Sequence, residues 1–187
     1  RRLVLGVTAL VFAASIALLG ACRQDFFPPS LRPEIIVEMH LAEGSSMKNT
    51  DGEAKRFAAF LDGLADEYRN YSVYVGEGAP RFVLTFEPVL AADNYAQFVI
   101  VANDKESRED LTAKIRTELS ENFPNVRANL KFIQTGPPAA YPIMLRVEGE
   151  DKEKVMSLAN EVADLVASDA NTRDVNLDWQ EKSKVLH

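Results

Sequence analysis

Cysteine, histidine and tryptophan are almost missing from this chain of 187 residues, which has one Cys, two His and one Trp. A single thiol, Cys22, excludes an internal disulfide. His40 and His187 lie far apart with no second thiol nearby, so they do not compose a metal site. Basic charge is also short: 21 Lys and Arg stand against 28 Asp and Glu, a net charge of −7. Setting aside Arg1 and Arg2 leaves about −9 for everything after Cys22. That balance excludes nucleic acid as a partner, because phosphate binding needs clustered cations. Catalytic signatures are missing as well. There is no G-x-S-x-G, no H-E-x-x-H and no P-loop, and "GEGAPRF" holds a lone G-x-G without the rest of a dinucleotide fingerprint. Neither an enzyme nor a cofactor is expected.

What is present starts with a charge gap. Leu3 to Cys22 carries no ionisable side chain apart from the final thiol, and at ~1.5 Å per residue a helix of that length matches the ~30 Å hydrocarbon core of a bilayer. Ten of its residues are Leu, Val, Ile or Phe, which favour insertion by roughly 4 kcal/mol in total. Arg1 and Arg2 ahead of the run place its start in the cytoplasm and the rest outside. Two readings follow. The run is a retained membrane helix, or it is a leader cut at Cys22, since Leu19-Gly20-Ala21-Cys22 has the small-residue pattern that precedes a lipidated cysteine. In the second reading the chain is a membrane-anchored lipoprotein with a small α+β binding module. Phe26, Phe27, Pro28 and Pro29 favour the first, as rings at headgroup depth followed by a stiff link.

Beyond the run, 47% hydrophobic and 26% charged residues support real cores. Glu34 to Leu41 alternates as a strand, with Glu38 and His40 on its polar face. Thr50 or Asp51 caps a helix bearing Phe57, Phe60, Leu61, Leu64 and Tyr68. Strands are expected at Asn70 to Val75 and, after the Gly76 to Pro80 turn, at Arg81 to Phe86. A second unit runs from a strand at Tyr95 to Val101 through a helix from Lys105 to Asn122, then past Pro124 to a strand at Val126 to Phe132. The charges of Asp104 to Asp110 read as a solvated face. Gly136-Pro137-Pro138 halts any regular element and suits a linker. A third unit follows, with strands at Ile143 to Val147 and Val175 to Trp179 around a helix carrying Val155, Leu158, Val162, Leu165 and Val166. Glu148, Glu150 and Asp151 sit at that helix's start, where acids favour the N-terminus. Arg1 in place of Met, and a chain that stops just after Val185-Leu186, lead us to expect a piece of something longer. Around the connection from Tyr74 to Phe98, the rings of Tyr74, Phe82, Phe86, Tyr95 and Phe98 with Arg81 suit greasy molecules of varied shape, or a core.

Five stretches, "FFPPSLRPEIIVEMHLAEGSS", "YVGEGAPRF", "NYAQFVIV", "GPPAAYPIMLRVEG" and "NTRDVNLDWQEKSKV", occur in an order and at a spacing that resemble the resistance-nodulation-division (RND) efflux permeases of the acriflavine-resistance type, in their C-terminal half. The resemblance implies an α+β fold: a transmembrane helix over 1–22, a linker over 23–32, a ferredoxin-like porter subdomain over 33–135, a linker over 136–139 and the start of a second porter subdomain over 140–187. It implies a homotrimeric, proton-driven antiporter of the bacterial inner membrane with residues after 22 in the periplasm. Such a pump passes amphiphilic small molecules to an adaptor protein and an outer-membrane channel. Phe98 resembles a pocket phenylalanine of the family. Arg81 and Phe82 fall in its glycine-rich loop near the substrate path, with Phe86 among the same rings, Tyr74 on the strand leading in, and Trp179 toward a lower cleft. The carboxylates and lysine that carry protons in such pumps belong to helices outside this chain.

Overall fold

Twenty residues with almost no polarity build the first element, α1 (Arg2–Ala21). In the computed structural model, which describes residues 1–21, 30–133, 136, 141, 143–172 and 175–179, no part of its apolar window is buried against protein. A side chain such as Leu10, 71% exposed, has no reason to face water on a free helix, so α1 has the length and composition of a membrane span or of a signal sequence. The resemblance's 23–32 linker, with Cys22 and the Phe-Pro pairs, lies largely outside the described residues.

From Glu34 the chain runs β1 (Glu34–His40), α2 (Met47–Asp62), β2 (Tyr68–Val75), β3 (Tyr95–Ala102), α3 (Lys105–Asn122) and β4 (Arg127–Phe132). The four strands form one antiparallel sheet in the order β2-β3-β1-β4, so each strand-helix-strand crossing skips over one strand. Period-2 patterning decides the faces. Ile35, Val37 and Met39 of β1 share one face with Ala96, Phe98 and Ile100 of β3, and there they meet Phe57 and Leu61 of α2 and Leu111, Ile115 and Leu119 of α3. Each fully buried side chain of that size is worth about 1.5–3 kcal/mol against exposure, which accounts for both helices lying on this side. Phe57 sits at the centre, its ring 4.8 Å from Phe98 and 6.0 Å from Phe123, both edge-on.

Caps fix the helices. Asp104 accepts from the Ser107 amide (2.8 Å) and starts α3 where the sequence places it. For α2 the structure corrects the expected cap: Ser46, not Thr50 or Asp51, precedes the helix and accepts from the Asn49 amide. Thr50 is buried inside α2, and its hydroxyl donates to the Asp93 carbonyl (2.6 Å), tying the helix to the chain just before β3. Leu64 and Tyr68, expected on the helix, lie past Gly63. Leu64 is in the turn and Tyr68 opens β2, donating back to the Leu61 carbonyl (3.2 Å).

Three expected strands do not form among the described residues. Arg81 to Phe86 lies between Pro80 and Pro88 and bends at Val83, where the Phe86 amide donates to the Val83 carbonyl (3.0 Å), and both edges of β3 are already taken by β2 and β1. Ile143 to Val147 and Val175 to Trp179 have alternating side chains but no paired neighbour; Ile143, Met144 and Leu145 are all exposed. The helix between them does form, as α4 (Lys152–Ala167), capped by Asp151 accepting from the Glu153 and Lys154 amides. Its apolar stripe is not buried. The 136–139 linker lies, apart from Gly136, outside the described residues. One member of the charged stretch 104–110 also departs from expectation: Lys105 and Glu109 pair on the surface, while Arg108 is buried to 4% exposure.

Candidate functional site

The sheet face turned away from α2 and α3 carries the chemistry. β1 and β3 place Glu38 opposite Gln97 and His40 opposite Tyr95, while β4 adds Asn129 opposite Glu38. Glu38 is buried, and its carboxylate accepts from Lys131 Nζ (2.7 Å) and Asn129 Nδ2 (3.3 Å). Tyr95 is fully buried, with its ring 4.8 Å from the His40 imidazole. Burial, and after it the negative charge of Glu38, pushes the Tyr95 phenol well above its ordinary range. The Tyr95 hydroxyl and the Gln97 amide nitrogen are buried with no hydrogen-bond partner among the described residues.

Over this face runs the connection 76–94. Its base is closed by backbone bonds: the Gly76 amide donates to the Tyr95 carbonyl (2.8 Å), the Ala92 amide to the Gly76 carbonyl (2.9 Å), and the Tyr95 amide to the Ala92 carbonyl (3.1 Å). Gly76 has φ +80°, a conformation that side chains disfavour, so glycine is the residue that makes this corner. Higher up, Gln97 Oε1 accepts from the Ala79 amide (2.7 Å), which fastens the loop to the middle of β3. A Cβ at Gly78 would stand 2.9 Å from the Val89 nitrogen, so the two arms of the loop touch. The tip carries Phe82 and Phe86 with ring centroids 4.9 Å apart and Leu84 at 85% exposure, and Leu90, just below the Gly78–Val89 contact, is 88% exposed.

The residues singled out from sequence are therefore split. Phe82 and Phe86 are brought together, exposed Arg81 precedes them, and Tyr74, half-buried on β2 opposite Gln97, lies on the same sheet face as the loop's anchor. Phe98 is on the other face. It is fully buried against Phe57 and Tyr71, in the hydrophobic core, and shares no surface with the loop rings. Trp179 is 54% exposed and stacks under Lys152, whose Nζ lies 4.9 Å from the ring centroid; no described contact joins it to the others. Sequence reasoning missed Glu38, Tyr95, Gln97 and Lys131 as a group. Gln97 was the available signal, a lone amide inside "YAQFVIV" that a purely apolar strand has no use for.

No protein-family model matches the chain, and no curated protein does. The site therefore has to be read from its own residues. The loop carries two paired rings, two exposed leucines and Arg81, with Glu77, Glu87 and Asp93 along the same stretch. Among the described residues no three His, Cys, Asp or Glu side chains converge as metal ligands. An open depression of about 570 Å³ beside α2 is lined by Lys48, Asn49, Glu53, Arg56 and Asn125, and Arg56 is already engaged by Glu53 and the Asn122 carbonyl.

His40 gives the polar face a pH signature. Burial lowers its pKa first of all; Arg127 and Lys131 act in the same direction, and Glu38 and Glu43 oppose them. With the folded value below the ordinary ~6.5, the unfolded chain takes up this proton first as pH falls. The contribution is full above about pH 6.5 and is lost as pH drops toward the folded value. Urea midpoints measured between pH 7.5 and 5 should fall, and His40→Gln should flatten that part of the curve. An unchanged slope in the variant would show that the imidazole binds its proton equally well in the folded and the unfolded chain. Glu34, held low by its bond to Arg32, and Asp104, held low by the Ser107 amide, add their own losses only below the usual carboxylate range.

Proposed function

We propose that this chain is the periplasmic porter portion of a proton-driven RND multidrug efflux permease, with α1 as its membrane helix and the 76–94 loop lining part of the substrate cleft. The observation that carries the reading is the loop itself: two touching rings and two bare leucines held out from a sheet by an anchored, glycine-cornered base. Exposed apolar side chains in such a cluster mark a surface that meets something greasy. The strand order β2-β3-β1-β4 with both helices on one face supports a ferredoxin-like porter subdomain, the split strand-helix-strand arrangement that the resemblance implies. The apolar helix ahead of it supports placement at the bacterial inner membrane with the sheet in the periplasm.

In this reading Arg81, Phe82 and Phe86 meet amphiphilic substrates directly, Tyr74 lines the base, and Phe98 holds the strand beneath them. Residues from 140 onward begin a second porter subdomain, with Trp179 toward its cleft. The protein works as a homotrimer with an adaptor and an outer-membrane channel, and it performs no bond chemistry in this portion. Proton binding on other helices drives subdomain movement, so this part contributes contact and closure.

The test uses the whole transporter in cells. Phe82→Ala/Phe86→Ala should lower resistance to some amphiphiles several-fold at unchanged abundance, while Thr117→Ala on the exposed face of α3 should leave resistance intact. Equal resistance to every compound at equal abundance would remove the loop from the substrate path. Incorporation of a palmitate analogue that disappears in Cys22→Ala would instead favour a lipid-anchored binding module.

A further inference from the structure

A buried cation needs a reason, and Arg108 has an unusual set of partners. It is 4% exposed, yet among the described residues the nearest carboxylate oxygen, on exposed Glu109, is 3.8 Å away. Its Nη1 instead donates to two main-chain carbonyls, Ser30 (2.9 Å) and Arg32 (2.7 Å), while its guanidinium carbon sits 4.3 Å above the Phe132 ring. Its Nε has no partner among the described residues. Taking a guanidinium out of water for carbonyl partners alone is costly, and an aliphatic side chain would cover Phe132 as well. What only arginine brings is a rigid fork of donors joined to a flat face.

Those two features act on two different pieces of chain. Ser30 to Pro33 is the stretch that leads from the helix side into the domain, and two further contacts seat it: Pro33 accepts from the Ala102 amide at the end of β3 (3.1 Å), and Arg32 pairs with Glu34 (2.6 Å). Phe132 is the last residue of β4, where the chain leaves the sheet, and it is registered opposite Ile35. Arg108 is mounted in the first turn of α3, its amide bonded to Asp104 and its carbonyl accepting from the Thr112 hydroxyl (2.6 Å). The support is therefore stiff, and the incoming and outgoing segments meet at one side chain.

We propose that Arg108 is a clamp that fixes the incoming segment Ser30–Pro33 against the outgoing end of β4, so that displacement of either segment is delivered to the other. The clamp is a property of this fold and stands apart from the efflux reading.

Amide hydrogen exchange on the full chain in lipid nanodiscs tests it, comparing wild type with Arg108→Met and Arg108→Lys. Arg108→Met keeps apolar cover on Phe132 and removes the fork; Arg108→Lys keeps the charge and length and removes the flat face. In both, exchange should rise about ten-fold or more at the Ala102 amide and, together with it, at the Ile35–Phe132 end of the β1/β4 pairing. Amides at Val37 and Phe98 in the middle of the sheet should change less than about two-fold. Acceleration at only one of the two segments shows that they move independently and overturns the clamp. So does an equal rise at Val37 and Phe98, which makes Arg108 a general support of the fold, and so does no change anywhere. Should Arg108→Met fail to fold, Arg108→Lys carries the same three readings.

Discussion

Phe98→Ala should destabilise the domain by about 3–5 kcal/mol, the cost of emptying a fully enclosed aromatic site. Phe98 lies in the central strand pair, opposite Val37 on one side and Val73 on the other, with Phe57 packed edge-on from α2. The neighbours that would have to collapse into the void are a sheet and a helix tied by the Thr50–Asp93 bond, so little relaxation is available. Urea unfolding followed by circular dichroism should show a lower midpoint at an unchanged slope. In cells the variant's activity should fall in step with its abundance. A variant that keeps its midpoint within about 1 kcal/mol while losing activity toward some compounds would put the ring in contact with ligand after all.

In residues 1–187 expressed by themselves, without the further membrane helices of the proposed transporter, Leu10→Arg should release α1, the proposed span, from the membrane. A leucine near the middle of a span favours insertion by about 0.5 kcal/mol and an arginine opposes it by about 3, so one substitution removes nearly all of the roughly 4 kcal/mol that the run supplies. Because Leu10 is bare of protein contacts, the soluble portion should keep its urea midpoint, which separates this effect from misfolding. Alkaline extraction of membranes, which strips peripheral proteins, should move most of the variant to the supernatant. Retention of that chain in the pellet at the wild-type level would mean that α1 is not what holds it to the bilayer.

Much of this was legible beforehand, and the particular residues say why. Lys105–Asn122 begins and ends where Asp104 and Pro124 dictate, because a cap and a proline are local signals. The strand at Glu34 declares itself by alternation and the one at Tyr95 by apolar density. The cap of α2 is not readable locally, because Thr50 and Asp51 suit the role as well as Ser46 does, and only a bond to Asp93, 43 positions away, shows that Thr50 is spent elsewhere. Phe82, Leu84 and Phe86 alternate as a strand does, but the segment bends back on itself at Val83 and pairs with neither edge strand, β2 or β4, so it is an exposed loop. The face of Phe98 was barely legible. In "YAQFVIV" nearly every position is apolar, so the only hint of which face meets the helices is Gln97 next to Phe98, and the register with β1 settles it. Arg108 looked like its solvated neighbours because helical periodicity is blurred where charges are dense. Its position three residues before Leu111 and seven before Ile115, on the apolar stripe, was the available sign.

The closed base of the 76–94 connection separates what happens at its summit from the sheet below. Gly76, Ala92 and Tyr95 complete their own backbone bonds, and Gln97 secures Ala79, so residues between Pro80 and Val89 are free to drift in sequence without disturbing the strands. Such an arrangement is a cassette: a deliberate transplant of positions 81–88 changes the surface at the summit while the chassis beneath keeps its shape.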